Sequence, residues 1–306
     1  MAAVKILAAD AVSLAGANLL PRGKFTVVSK PGITNESITR EYPDFDVLLI
    51  RSTRSIDASF LRSANFRIIA TFTKGTDHID MESASLLGIK VINAEEGNHI
   101  SAAEHTFAMI LSIYKNISVA DSRVRSGNFR DADFRRNELF GKSIGIIGFG
   151  KVGSYVGMLA QAFGMRVIAS DTDVNVRTRH KDFEFRSLRF LLNHSDVITV
   201  HIPLDKRNRG FIGAKQFAMM RKDAVFINTS RGAVTDEDAL LEALSSGAIR
   251  YAGIDVFENE PNIKPGFLNL NNALLTNHIA GKTEESRDRI SQIMFAKILK
   301  ELGKKV

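Results

Sequence analysis

The sequence predicts an α/β protein of two domains, each built on a parallel sheet. Three observations carry that expectation. Short apolar runs alternate with helical patterns from one end of the chain to the other, the signature of parallel strands joined by crossover helices. At 306 residues the chain is long enough for two domains that each bury a core. From Ser143 onward the alternation becomes more regular, and no Pro-rich or low-complexity linker precedes the change, so the boundary should fall at helix ends.

In the first hundred residues the predicted strands are Val4 to Ala9, Val47 to Arg51, Ile68 to Phe72 and Val91 to Asn93. Helical patterns lie between them at Asp57 to Ala64 and at Met81 to Leu87, the latter stopped by Gly88. A helix from Ser101 to about Arg125 should link the domains. Ser101-x-x-Glu104 resembles a capping box, and Phe107, Ile110, Leu111, Tyr114 and Ile117 recur at helical spacing. Buried-strand runs follow at Ile144 to Ile147, Val167 to Ala169, Val197 to His201, Val225 to Asn228, Gly253 to Val256 and Leu274 to Thr276. They predict a doubly wound sheet of six to seven strands. From Glu284 to Val306, the apolar residues Ile290, Ile293, Met294, Ile298 and Leu302 share one stripe of an amphipathic helix.

Composition excludes several classes of function. Hydrophobic residues make up 44% and charged residues 25%, the balance of an ordinary globular chain rather than a disordered one. No run approaches the roughly 18 apolar residues of a membrane span. There is no cysteine, so disulfides, thiolate zinc sites and cysteine nucleophiles are excluded, and no metal site is expected. Lysine and arginine outnumber aspartate and glutamate by 41 to 34, but they are scattered and no basic run or zinc-finger spacing appears. No nucleic-acid partner is expected. Val4 to Asp10 reads as a first strand rather than a signal peptide, which makes the cytoplasm the expected compartment. Residues 51 to 74 hold Arg51, Arg54, Arg62, Arg67 and Lys74 against Asp57 alone, either a solvated surface or an anion site.

Gly148-Phe149-Gly150-Lys151-Val152-Gly153 fits G-x-G-x-x-G, a weak signal by itself. Its context strengthens it, because it follows the strand at Ile144 to Ile147 and opens a helical run from Ser154 to Phe163. In that setting Gly148 makes the tight turn, Gly150 lets a pyrophosphate approach the backbone, and Gly153 allows the helix to pack on the strand. The next strand ends at Asp171, 23 residues after Gly148, where an acid accepts from the adenosine ribose. A 2′-phosphate there would be repelled by about 4 kcal/mol per charge pair at a surface-like dielectric, so NAD is expected over NADP. The second domain is therefore expected to be a Rossmann domain, and the first a smaller flavodoxin-like one.

Arg231, Glu260 and His278 each follow a predicted strand of the second domain, in Asn228-Thr229-Ser230-Arg231-Gly232, Asp255-Val256-Phe257-Glu258-Asn259-Glu260-Pro261 and Asn277-His278-Ile279-Ala280-Gly281. Ligands of open α/β sheets bind outside the carboxyl ends of strands. Taken singly, each residue also suits an ordinary surface loop.

With these motifs in this order, essentially the whole chain resembles the NAD-dependent D-2-hydroxyacid dehydrogenase family. The resemblance implies that Arg231, Glu260 and His278 form a catalytic set. It implies side-chain cofactor roles for Asp171, Thr229 and Asp255, and pocket positions for Lys151, Val152, His201, Pro203, Ala280 and Gly281. His201 suits a packed or solvated histidine equally well. Residues 1–98 with 284–306 would form the substrate domain and 99–283 the NAD-binding domain, the first closing over the second. A small anionic 2-hydroxy or 2-keto acid is the implied substrate. Family members are commonly homodimers, and the helix from Ser101 to Arg125 is a candidate contact surface.

Arg51-Ser52, Gly97-Asn98 and Ala103-Glu104-His105 resemble the D-3-phosphoglycerate dehydrogenases of serine biosynthesis. Under that resemblance Arg51, Ser52, Lys74 and Gly75 bind substrate, and the basic stretch becomes a phosphate surface at Arg51. Those enzymes usually carry an arginine where this chain has Thr71. Gly75-Thr76-Asp77-His78 and His278-Ile279-Ala280-Gly281 instead resemble erythronate-4-phosphate dehydrogenase. The chain stops soon after its closing helix, so a short type without a regulatory or dimerisation domain is expected. Glyoxylate or hydroxypyruvate reduction is a further alternative, and an NAD-sensing corepressor is an alternative of another class. Arg135 and Arg136 either face the substrate or solvate a turn.

Overall fold

The computed structural model describes residues 3–73, 75–94, 97–130 and 136–303. The chain divides into two compact units, Met1–Asn98 with Lys282–Val306, and His99–Gly281.

The first unit is a five-stranded parallel sheet of β1 (Val4–Ala8), β2 (Phe25–Ser29), β3 (Val47–Ile50), β4 (Ile68–Thr71) and β5 (Lys90–Asn93). Helices α1 (Asn35–Glu41), α2 (Ala58–Ser63) and α3 (Met81–Leu86) connect the strands, capped by the side chains of Thr34, Asp57 and Asp80. The strand order β2-β1-β3-β4-β5 is the flavodoxin-like one. Every residue of β3 and β4 is buried, and apolar side chains cover both faces of the sheet. At roughly 1.5 to 3 kcal/mol for each fully buried Ile, Leu or Val, these strands dominate the unit's hydrophobic stabilisation.

In the second unit, α4 (His99–Lys115) and α5 (Ile117–Arg125) precede a seven-stranded parallel sheet. Its elements in chain order are β6 (Ser143–Ile147), α6 (Lys151–Ala162), β7 (Arg166–Ser170), α7 (Val174–Arg179), β8 (Glu184–Phe185), α8 (Leu188–His194) and β9 (Val197–Val200). Then come α9 (Ala214–Phe217), β10 (Val225–Asn228), α10 (Glu237–Ser245), β11 (Tyr251–Ile254), α11 (Pro265–Leu268) and β12 (Ala273–Leu275). The strand order β12-β11-β10-β9-β6-β7-β8 reverses between β6 and β9, the doubly wound arrangement with its ligand crevice at the switch point. The chain then returns to the first unit as α12 (Glu284–Glu301), which buries Met294, Phe295, Ile298 and Leu299 and packs against β4 and β5.

The sequence-based expectations need four corrections. The expected single helix from Ser101 to Arg125 is two, broken at Asn116, whose φ of 52° lies in the left-handed region. The capping-box reading of Ser101 fails, because the helix begins two residues earlier and Ser101 is buried inside it, donating from Oγ to the Ala280 carbonyl at 2.7 Å. Strand β2 and helix α1 were not expected: β2 is an edge strand with no fully buried residue, and α1 buries only Ile38. Strand β8 is two residues long, too short for any periodicity.

Candidate active site

The Gly148 turn joins β6 to α6 as the motif requires. Gly148 has φ +85°, a conformation that favours glycine, and a β-carbon on Gly153 would sit 2.1 Å from the Gly148 carbonyl oxygen. A β-carbon on Gly150 would point into open space, so the main chain there is accessible to a ligand. Lys151, Val152 and Gly153 form the first turn of α6, where main-chain N–H groups precede the intrahelical ladder and favour an anion. At the end of β7, Asp171 accepts from the Phe149 amide through Oδ2 at 2.7 Å and from the Asp173 amide through Oδ1 at 2.9 Å. The carboxylate is thereby fixed beside the glycine turn. This cradle fits a dinucleotide.

His201 and Pro203 follow β9 on the other side of the switch point. Burial pulls the His201 imidazole down to about 3, so the ring is neutral, with Nε2 2.9 Å from Thr199 Oγ1. By accessible surface His201 is half-buried, between the packed and the solvated reading. Pro203 is exposed, and its carbonyl accepts from Asn208.

The polar set lies on three neighbouring strands. Arg231 follows β10, Glu260 follows β11 and His278 follows β12, and these strands are adjacent in the sheet. Buried Asn228 shapes the first loop, accepting from the Ser230 amide and donating to the Arg231 carbonyl. Gly232 then packs on the neighbouring loop so closely that a β-carbon would lie 2.0 Å from the carbonyl carbon of Phe257. Gly232→Ala should therefore separate the Arg231 and Glu260 loops. A cost of about 1 to 3 kcal/mol for overpacking is expected, read as a lowered Tm together with loss of turnover.

Glu260 uses both carboxylate oxygens. Oε1 accepts from the Phe257 amide at 2.9 Å, and Oε2 lies 2.6 Å from His278 Nδ1. His278 has φ 55°, a left-handed conformation uncommon outside glycine, although histidine adopts it more readily than most residues. The exposed Arg231 guanidinium donates to the Ser230 carbonyl at 2.7 Å.

Asp255 differs from its expected part. Its side chain has no exposed surface, and Oδ1 accepts from the Thr276 hydroxyl and the Ile279 amide while Oδ2 accepts from the Ala280 amide. Burial opposes its ionisation, but these donors and His105 outweigh it and bring the group down to about 2. The enclosed carboxylate holds the His278 loop rather than presenting itself to a ligand. Thr229 is likewise engaged, donating to Thr106 Oγ1 at 2.8 Å, since Thr106 spends its own proton on the Ala102 carbonyl. Ala280 is buried and Gly281 half-buried at the end of the same loop.

In the first unit, Arg51 and Ser52 are exposed after β3, and Gly75 is exposed after the neighbouring β4. Lys74 and Arg135 lie outside the described residues. Arg54 is no surface charge: its guanidinium donates to Asp10, Asn35 Oδ1 and the carbonyls of Ala9 and Ile33, while the other oxygen of Asp10 accepts from the Arg51 amide. Thr71 is fully buried, its hydroxyl 3.0 Å from His78 Nε2 and 2.9 Å from Thr73 Oγ1. Pattern reading assigned Asp10, Asn228 and His105 no role of their own: Asp10 and His105 act through partners far along the chain, and Asn228 acts by bonding within the loop that follows it.

Residues 107–280, more than half of the chain, match the family described as D-isomer specific 2-hydroxyacid dehydrogenase, NAD binding domain. The hydroxypyruvate reductase of Thermotoga maritima is 33% identical over 312 residues, covering 99% of this chain and 100% of that protein. The chain belongs to this family. Its second unit carries the family's NAD-binding domain, so NAD is the cofactor the cradle serves. The D-3-phosphoglycerate dehydrogenase of Archaeoglobus fulgidus is 36% identical over 300 residues, covering 97% of this chain but 57% of that protein. The chain thus spans little more than half the length of such relatives. Among solved structures, a D-2-hydroxyisocaproate dehydrogenase superposes with a TM-score of 0.89 at 25% identity, covering 99% of this chain and 98% of that one. The relatives are named as dehydrogenases and reductases, which gives the corepressor alternative no support.

Proposed function

We propose that this protein is a cytoplasmic NAD(H)-linked dehydrogenase of a small anionic D-2-hydroxy acid, with D-3-phosphoglycerate the first candidate and its 2-keto acid as partner. The second unit would be the NAD-binding domain and the first the substrate domain. The observation that carries this reading is the 2.6 Å contact between His278 and Glu260, in the loops after β12 and β11, with Arg231 in the loop after β10, the next strand of the same sheet. The chemistry NADH would supply when bound is a hydride for the carbonyl carbon of the keto acid. Arg231, permanently charged, would hold the substrate carboxylate and polarise the carbonyl oxygen. His278 would give that oxygen its proton from Nε2, because Nδ1 is committed to Glu260, and would take the proton back in oxidation. Glu260 would orient the ring through its contact with Nδ1. The glycine turn, Lys151 and Val152 would meet the pyrophosphate, Asp171 the adenosine ribose, and His201, Pro203, Thr229, Ala280 and Gly281 would line the nicotinamide end. Asp255 would contribute by holding that lining in place.

Arg51, Ser52, Lys74 and Gly75 would bind the far end of the substrate, and the main-chain bond to Asp10 fixes where Arg51 starts. A phosphate is the end group that best suits an exposed guanidinium there. Hydroxypyruvate or glyoxylate is favoured as the second reading by Thr71, which is buried and bonded to His78 and adds no charge to the loop after β4. The full-length similarity to a hydroxypyruvate reductase supports the same alternative. Following NADH absorbance against phosphohydroxypyruvate, hydroxypyruvate, glyoxylate and 3-deoxy analogues decides between them. Phosphohydroxypyruvate is expected to show the highest kcat/KM, with NADH preferred over NADPH by at least about tenfold through Asp171. No oxidation of NADH by any 2-keto acid would defeat the proposal.

A homodimer is part of the same proposal. Ile117 and Val124 on α5, Phe129, Phe140, Met158 and Phe163 are large apolar side chains exposed in the second unit, Phe129 at 84% and Phe140 at 79%. Phe140 lies against Gly164, next to Phe163, so part of this surface is contiguous. Exposed apolar area of this kind is characteristic of subunit contacts. Light scattering is expected to give twice the 33.7 kDa chain mass, and Phe140→Asp to shift it toward the monomer. A monomeric wild type at micromolar concentration would refute the assembly.

A further inference from the structure

Helix α4 places His105 against the loop that carries His278. His105 Nε2 lies 3.2 Å from Thr276 Oγ1 and 3.5 Å from Asp255 Oδ1. Thr276 Oγ1 is itself 2.5 Å from Asp255 Oδ1 and must donate to it, because an ionised carboxylate offers only lone pairs. The hydroxyl oxygen then has only lone pairs left for His105, so the imidazole tautomer that fits carries its proton on Nε2. Asp255 passes the connection on. Its Oδ1 and Oδ2 accept from the Ile279 and Ala280 amides at 2.9 and 3.0 Å, and its main-chain carbonyl accepts from the His278 amide at 2.8 Å. Three consecutive amides starting at His278 are thus tied to one buried aspartate.

That tether matters because His278 sits at φ 55°, where a residue with a side chain stays only when its surroundings hold it. Ser101, one helical turn before His105, reinforces the grip by donating to the Ala280 carbonyl at 2.7 Å. We propose that His105 is a positioning residue: acting through Thr276 and Asp255, it fixes the backbone of His278 so that the imidazole meets Glu260. The inference rests on the reading of His278 as the proton donor. Among the described residues, the polar contacts of His105 are to Thr276 and Asp255, so its effect on turnover passes through the loop.

The test uses the full chain, NADH and hydroxypyruvate or phosphohydroxypyruvate, with amide hydrogen exchange as a readout that needs no turnover. In His105→Leu the hydroxyl of Thr276 loses its donor. kcat is expected to fall by about 10- to 100-fold while KM for NADH and for the keto acid stays within about threefold. Exchange at the Ile279 and Ala280 amides should accelerate at least about tenfold while the amides of β6 are unchanged. His105→Gln, whose side-chain nitrogen can donate to the same hydroxyl, should recover both properties to within about threefold. Combining His105→Leu with Thr276→Val should be no worse than Thr276→Val alone, since both remove one connection.

Wild-type kcat and exchange in His105→Leu would overturn the inference. Failure of Gln to recover what Leu loses would also overturn it, because His105 would then act by packing. Multiplying effects in the double variant would do the same. Should the Leu variant not fold, Thr276→Val decides, and unchanged exchange at residues 279 and 280 in that variant defeats the relay. His278→Asn run in parallel keeps the two readings apart: undiminished turnover there sinks the proton-donor role, whereas the exchange data still report whether His105 holds the loop.

Discussion

Replacing His278 by asparagine is expected to lower kcat by about 10² to 10⁴, the usual contribution of a positioned general acid. Asparagine is the informative substitution because it tolerates the left-handed conformation that His278 adopts at φ 55°, so the loop keeps its course. Its amide cannot exchange a proton with the substrate oxygen near neutral pH, and the 2.6 Å contact with Glu260 is lost as an imidazole contact. The NADH dissociation constant, measured by nucleotide fluorescence, should change by no more than about threefold, and Tm should stay close to wild type. A folded variant with undiminished kcat would assign the proton to another donor.

Arg231→Gln is expected to be nearly as damaging, but in a different constant. Two charge-assisted hydrogen bonds from a guanidinium to a carboxylate, at about 1.5 to 3 kcal/mol each, would make their loss lower kcat/KM by roughly 100-fold or more. Much of that should appear in KM for the keto acid, since in the proposed role the arginine would bind the carboxylate before as well as during reaction. Lysine should recover only part of the loss, because a single ammonium cannot offer the paired donors of a planar fork. The side chain is exposed and makes one hydrogen bond, to the carbonyl of Ser230, so the fold should tolerate both substitutions. Equal losses in NADH binding and in keto-acid KM would mean that Arg231 serves the cofactor instead.

The parts of the site that were legible in the sequence share a local cause. Buried strands such as Val225–Asn228 and Val197–Val200 are apolar on both faces, so they stand out as short runs and the residues after them are marked as strand-end residues. The glycine turn is readable because its conformations can be met by few other residues, as the +85° at Gly148 and the 2.1 Å approach at Gly153 show. Elements without such a signal were missed. Strand β2 has no fully buried residue and no regular alternation of half-buried and exposed ones, and α1 presents one buried side chain, so neither leaves a strong periodic trace. The break at Asn116 interrupts a helical pattern whose apolar spacing runs straight through it. Ser101 resembled a cap because Glu104 stands three residues on, yet its hydroxyl is spent on Ala280, far along the chain.

By itself the sequence determined the two parallel sheets, the dinucleotide turn and the chemical groups at the ends of three strands, because apolar periodicity and turn chemistry are written over stretches of a few residues. Only the tertiary structure decided what those groups touch. Strand order brings β10, β11 and β12 side by side, and through it Arg231, Glu260 and His278. It also turned Asp255 inward to hold the His278 loop, made Arg54 a buried partner of Asp10 while leaving Arg51 exposed, and set His105 against Thr276 across 171 residues of chain. A buried polar group must find its partners wherever the fold brings them, and that choice is made by packing across the molecule rather than by neighbours along the chain.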